Sequence, residues 1–228
     1  MTAKPKYKVF PLGENALTID FGNRISANLN DIVTSLATRL EKKPFWGFIE
    51  CVPAYSSLTV FYDLFETKRR FRTSLSAFEI ARSFVEMELF KLEEILHKGA
   101  RSIEIPLTFG KSDAPDLELV AETNRLGPDE VIEIFLTTEY RVFMLGFLPG
   151  FAYMGALDER IATPRKQNPR RWVAQGSVGI AGMQTGIYPL ESPGGWQIIG
   201  RTNVKLFDAW SESPTLFQAG DTVKFVRA

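Results

Sequence analysis

GSVGIAGMQTGIYPLESPGGWQIIGRT, residues 176–202, decides the fold. It consists of short apolar runs broken by glycine and proline, the pattern of a β-barrel or closed sandwich. Ten of the chain's 17 glycines lie between Gly146 and Gly200, where even spacing would put about four. Glycine supplies positive φ and lets a ligand or another backbone approach closely. Gly176-Ser177, Gly179, Gly182, Gln184-Thr185-Gly186 and Ser192-Pro193-Gly194-Gly195 could present backbone N–H groups of the kind that cradle anions. Neither GxxxxGK[ST] nor GxGxxG is present. A tight barrel with many turns explains the glycines equally well.

Two segments lie just upstream. Residues 140–155 read YRVFMLGFLPGFAYMG, with Phe143, Phe147, Phe151 and Tyr153 interleaved with Gly146, Pro149, Gly150 and Gly155. Such a loop can build a rigid aromatic rim for a planar ligand, or its rings can fill the barrel core. Residues 163–171, TPRKQNPRR, put Arg165, Lys166, Arg170 and Arg171 in seven positions. Arginine forks match carboxylate and phosphate oxygens, so this is either an anion site or a solvated basic loop.

Further upstream the pattern becomes mixed. Residues 101–109 alternate as a strand. Two short helices are predicted at 117–123 and 129–135, with Pro128 suited to a first turn. After Glu139 no helix is expected. Before residue 100, strands are predicted at 7–12, 16–21, 47–52 and 58–62, and a helix at 31–41 with Asn30 as N-cap. A longer helix is predicted at 75–97, its stripe running Phe78, Ala81, Val85, Leu89, Leu92, Leu96, with His97 in the last turn and Gly99 as C-cap. The expected fold class is α+β: a ferredoxin-like α/β sandwich over residues 1–99 and a β-barrel domain over 100–228.

Composition limits the chemistry. Lys plus Arg equals Asp plus Glu, 27 each, so no general grip on nucleic acid or an anionic membrane is expected. There is no secretory leader pattern at the N-terminus and no run approaching about 18 apolar residues. One cysteine, Cys51, and one histidine, His97, provide neither a disulfide nor a Cys/His zinc site. No metal site is expected, and the cytoplasm is the expected compartment.

GFLPGFAYMG, TPRKQNPR, residues 176–202, the closing LFQAGDTVKFV and upstream EIPLTFG and APDLELVAE together resemble one family across nearly the whole chain. It is the family of the 5-oxoprolinase B subunit, also described as allophanate hydrolase subunit 1 and as the kinase inhibitor KipI. The resemblance implies a cyclophilin-like barrel at the C-terminal end. It also implies a hetero-oligomer with the enzyme's C subunit, whose domain is similar, and with its A subunit. Members often carry a histidine shortly after the helix predicted to end near Ile134, where this chain has Phe135. They often read Val-Pro-Ala-Gly-Ser where it has Val173-Ala174-Gln175-Gly176-Ser177.

The activity implied is ATP-dependent hydrolysis of 5-oxo-L-proline to L-glutamate, with ATP and Mg used at the level of the complex and this chain inactive alone. By residue type, Arg165, Arg170 and Arg201 are the cationic candidates, and Gln184, Thr185 and Tyr188 the polar orienters. Phe147, Pro149, Phe151, Tyr153, Ser192, Gly194 and Trp196 are the candidate substrate-binding residues. Two alternatives stand beside this reading: half of a biotin-dependent carboxyltransferase in allophanate or urea metabolism, and an inhibitor docking on a sensor histidine kinase.

Overall fold

The computed structural model describes residues 5–71, 74–92 and 101–228, which gather into two compact units, 1–98 and 99–228. In the first, β1 (Lys8–Pro11) and β2 (Ala16–Asp20) precede α1 (Ala27–Lys42). They are followed by β3 (Phe48–Pro53), β4 (Ser57–Tyr62), α2 (Leu64–Arg70) and α3 (Ala77–Phe90). The sheet is antiparallel in the order β1-β2-β4-β3. β2, α1 and β3 thus form a split βαβ unit with β4 between its strands, the ferredoxin-like feature. The chain order is ββαββαα rather than βαββαβ.

One face of this sheet is apolar because Leu17, Ile19, Leu58, Val60 and Tyr62 alternate onto it, where they meet Val33, Leu36 and Leu40 of α1 and Ala81, Val85 and Leu89 of α3. Helix α3 starts at a reciprocal cap: Ser76 Oγ accepts from Glu79 N at 3.2 Å and Glu79 Oε2 accepts from Ser76 N at 2.7 Å. The last part of the predicted helix, including Leu96, His97 and the Gly99 cap, lies outside the described residues. Asn30 is not the N-cap of α1. Ser26 is, and Asn30 is fully buried one turn in, donating from Nδ2 to Ala54 O at 3.2 Å. The sequence reading missed α2, whose seven residues are too few for any apolar period to repeat.

The second unit holds β5 (Ser102–Leu107), α4 (Leu117–Asn124), α5 (Pro128–Thr137), β6 (Glu139–Leu145), β7 (Ala152–Gly155), β8 (Arg170–Val173), β9 (Ser177–Ala181), β10 (Gln184–Ile187), β11 (Ser192–Gly194), β12 (Gln197–Arg201) and β13 (Thr222–Arg227). One 3-10 turn, Glu159–Ile161, departs from the strand-only expectation after Glu139. Seven strands run β12-β9-β10-β7-β6-β13-β5. The two edges then meet: Thr108 N donates to Arg201 O at 2.9 Å and Arg201 N to Thr108 O at 3.0 Å. The sheet is thereby all but closed into the cyclophilin-like barrel, which removes its exposed edges. Val142, Met154, Val178, Ile180, Ile187, Ile199 and Phe225 fill it, joined by Val120 of α4 and Val131 and Phe135 of α5.

Cys51 on β3 lies beside Glu41, their polar atoms 3.8 Å apart. Burial, then Glu41 and Glu50, push its thiol up to about 12. At pH 8 iodoacetamide should therefore alkylate the native chain roughly a thousandfold more slowly than the chain in denaturant. Equal rates in the two states would mean that the thiol is neither buried nor under the influence of these carboxylates.

Candidate functional site

Strand alternation sorts the Gly-rich segments onto two faces of the barrel wall. Ala152, Met154, Val178, Ile180 and Ile187 point into the core. Phe151, Tyr153, Gly179, Ala181, Gly186 and Tyr188 take the opposite face. There Phe151, Tyr188, Trp196, Ile198, Ala181 and Val173 form a separate cluster with Leu148 and Tyr153 against it. Val173 comes from the two-stranded ribbon of β8 and β11, so the rings form a layer between the ribbon and the wall. The aromatics fill neither the barrel interior nor an open rim alone.

Glycines make this layer possible. Gly179 and Gly186 are cross-strand partners. A Cβ on Gly179 would lie 2.9 Å from Trp196 Cβ, one on Gly186 2.9 Å from Phe151 Cζ, and one on Gly194 2.4 Å from Tyr188 Oη. The rings then pack edge to face: Phe151 to Tyr153 at 4.8 Å, to Tyr188 at 5.4 Å and to Trp196 at 5.5 Å.

The exposed part of the layer is small. Phe147 is 60% exposed and held at φ +69, a left-handed conformation that costs a non-glycine residue about 1–2 kcal/mol. Its ring meets Phe151 at 5.5 Å and Tyr188 at 6.4 Å. Arg165, also exposed, lies over the Trp196 ring at 5.6 Å. Gln184 shares the Gly186 face by alternation and pairs with Gly155 and Ala181. Ser192 stands opposite Val173, a member of the layer, and among the described residues its buried hydroxyl has no hydrogen-bond partner. Pro149 is exposed at the turn that presents these rings.

The basic segment is a fastened strap rather than a solvated loop. Thr163 bridges Gly182, Pro164 O accepts from Gln197 Nε2 at 2.9 Å, and Lys166 N donates to Gly195 O at 2.7 Å. Its anchor is Asp116, only 3% exposed. Oδ1 accepts from Lys166 Nζ at 2.9 Å and Arg170 Nη2 at 2.5 Å, and Oδ2 accepts from Ile198 N at 2.7 Å. Burial alone would raise this carboxyl; the Arg170 and Lys166 hydrogen bonds and the Ile198 amide hold it below the usual carboxylate range. Asp116 was not singled out in the sequence. Standing just before a helical pattern it reads as an N-cap, yet it makes no side-chain cap bond.

The remaining candidates are placed elsewhere. Thr185 is fully buried and donates to Gly179 O at 2.9 Å, so its hydroxyl is committed to the wall. Arg170 is committed to Asp116. Arg201 stands at the closing seam, donating from Nε to Gln175 O at 3.1 Å. Tyr188 is 1% exposed and, with Phe151, supports the layer from within.

Residues 7–217 match the carboxyltransferase domain, subdomain C and D. The chain belongs to that family. Among similar proteins, the B subunit of 5-oxoprolinase from Bacillus subtilis (strain 168) is 48% identical over 97% of this chain and 93% of its own length. The conserved uncharacterized protein PH0987 from Pyrococcus horikoshii is 47% identical over 97% of each chain, with a TM-score of 0.55. The solved structure of TTHA0988 is 33% identical with a TM-score of 0.79; the match covers 93% of this chain and 40% of that one, so this chain spans about two fifths of it.

The two positions expected to depart from the resembled family's pattern both have a structural setting. Phe135 is fully buried, its ring 4.9 Å from Phe225 and 5.0 Å from Tyr140, whose hydroxyl donates to Phe135 O at 2.9 Å. The position belongs to the barrel core, and helix α5 runs past it to Thr137. In the second departure Gly176 is retained because its φ is +81 and a Cβ there would lie 2.0 Å from Thr202 O.

Asp116→Asn should lower stability at pH 7 by about 1.5–3 kcal/mol, the size of a charged hydrogen bond in a buried site. Because the folded carboxyl titrates below its unfolded value of about 3.9, its stabilisation is complete above that value. It is lost as pH falls through the lower folded value. Urea denaturation from pH 7 to pH 2.5 should therefore show a flatter acid limb in the variant; parallel limbs would mean that Asp116 is not the group responsible. In the aromatic layer, Gly194→Ala should lower the melting temperature by displacing the Tyr188 ring, at a cost of about 1–3 kcal/mol, read by calorimetry. An unchanged melting temperature would show that the ring moves freely.

Proposed function

We propose that this chain is the B subunit of an ATP-dependent 5-oxoprolinase, acting with the A and C subunits to open 5-oxo-L-proline to L-glutamate. The observation that carries the reading is the 48% identity to the Bacillus subtilis protein, spanning nearly all of both chains. The exposed part of the outer-wall layer suits the role: the Phe147 ring and the Arg165 guanidinium can receive a planar, anionic ring.

A lactam carbon is a poor electrophile. Transfer of the terminal phosphoryl group of ATP to the lactam oxygen, with ADP leaving, makes the carbon open to water; water adds and the C–N bond breaks to give γ-glutamyl phosphate, from which a second water releases phosphate and leaves glutamate. Within this scheme the present chain binds and orients. Phe147 and the half-buried Tyr153 hold the ring, Arg165, seated on the buried Trp196, supplies charge, and Gln184 can donate to or accept from the amide. None of these is a carboxylate, histidine or cysteine, and the proton transfers are assigned to residues of the partner subunits.

Mixing the purified chain with the A and C subunits should give glutamate only when ATP and all three are present, measured by coupled glutamate dehydrogenase. Turnover by this chain alone, or by the other two without it, would refute the assignment.

A further inference from the structure

The sequence puts four cations in seven residues and so suggests a polyanion such as a nucleotide. The structure changes that count. Lys166 and Arg170 share the buried carboxylate of Asp116. Arg165 is left over the Trp196 ring, and among the described residues no carboxylate pairs with it. Arg171 lies exposed on the neighbouring ribbon strand. One guanidinium stacked on an indole matches the two oxygens of a single carboxylate. A nucleoside triphosphate needs several cations around its phosphates, and the strap has already committed two of its own.

A second, independent feature lies in the same layer. The Ser192 hydroxyl is buried, with 8% of the residue exposed, and among the described residues it has no hydrogen-bond partner. Its partner across the ribbon is Val173, which packs in the aromatic layer. A buried hydroxyl in an aromatic layer weakens the fold unless something binds it. Gln184 stands on that side of the wall as well.

We infer that the outer-wall site takes the small carboxylate-bearing cyclic amide and not the nucleotide, with Arg165 on the carboxylate, the exposed Phe147 ring beside the substrate ring and Ser192 and Gln184 toward the amide. The nucleotide site then belongs to another subunit. This rests on the 5-oxoprolinase reading and adds the division of labour between substrates.

The test is steady-state kinetics of the assembled three-subunit complex. Arg165→Gln should raise the KM for 5-oxoproline roughly ten- to a hundredfold, the loss expected for a charged hydrogen bond, and leave the KM for ATP unchanged. Inhibition by 2-pyrrolidinone, the same ring without the carboxylate, should be equal in wild type and variant. Ser192→Ala should raise the KM for 5-oxoproline severalfold while raising the melting temperature of the full chain, a pairing that a purely structural serine would not give. A rise in the KM for ATP alone, or no change in either KM, would overturn the inference while leaving the function standing. A complex that consumes no 5-oxoproline would sink the functional reading instead. In that case the inference is decided by calorimetry on the full chain: it holds if 5-oxoproline binds at least tenfold more tightly than 2-pyrrolidinone and fails if the two bind alike.

Discussion

The buried carboxylate of Asp116 holds the second unit's candidate site together. An ionised group this deeply enclosed is tolerated only when its charge and lone pairs are all matched. Here two side-chain cations and one backbone amide do so, and they come from two places distant from Asp116 in the chain: the strap at Lys166 and Arg170, and strand β12 at Ile198. The consequence is geometric. With Lys166 N tied to Gly195 O and Arg170 Nη1 3.5 Å from Trp196 O, the strap can move only if the indole moves too. The orientation of Arg165 over Trp196 is therefore set by a charge buried in the strap's anchor.

The aromatic layer depends on absent side chains as much as on present ones. Gly179 and Gly186 leave room on the wall for the rings, and the β8–β11 ribbon closes over them with Gly194 against Tyr188. Packing at this density fixes rotamers, so the exposed Phe147 and Arg165 project from a rigid base. Such a surface loses little side-chain entropy when it takes up a flat molecule.

Helices with long apolar stripes were legible because their period repeats: Val85 and Leu89 of α3 sit where the stripe put them, and α2 was lost for want of repetition. The strand-only character after residue 139 was also readable, since no helical period survives so many glycines. The face of each strand was not. Phe151 and Tyr153 alternate with Ala152 and Met154, and both sets are apolar, so period two alone cannot tell interior from exterior. The basic strap was visible as a run of charge. Its neutralisation was not, because the partner, Asp116, lies 50 residues before Lys166 and 54 before Arg170 in the chain.

The barrel's first and last strands, β5 and β13, run side by side in parallel, Ser102 facing Thr222 and Leu107 facing Arg227. The ion pair beside them joins residues 120 apart, Arg101 and Asp221. A pairing of such long range must bring together the ends of a large loop before it returns any energy. On the ribosome, the strand that flanks both β5 and β6 emerges after every other strand of the sheet. Until then β5 lacks its neighbour and β6 shows an open edge. The barrel is thus a structure that elongation cannot complete piecemeal, and its nascent form is the state most exposed to chaperones and to mispairing.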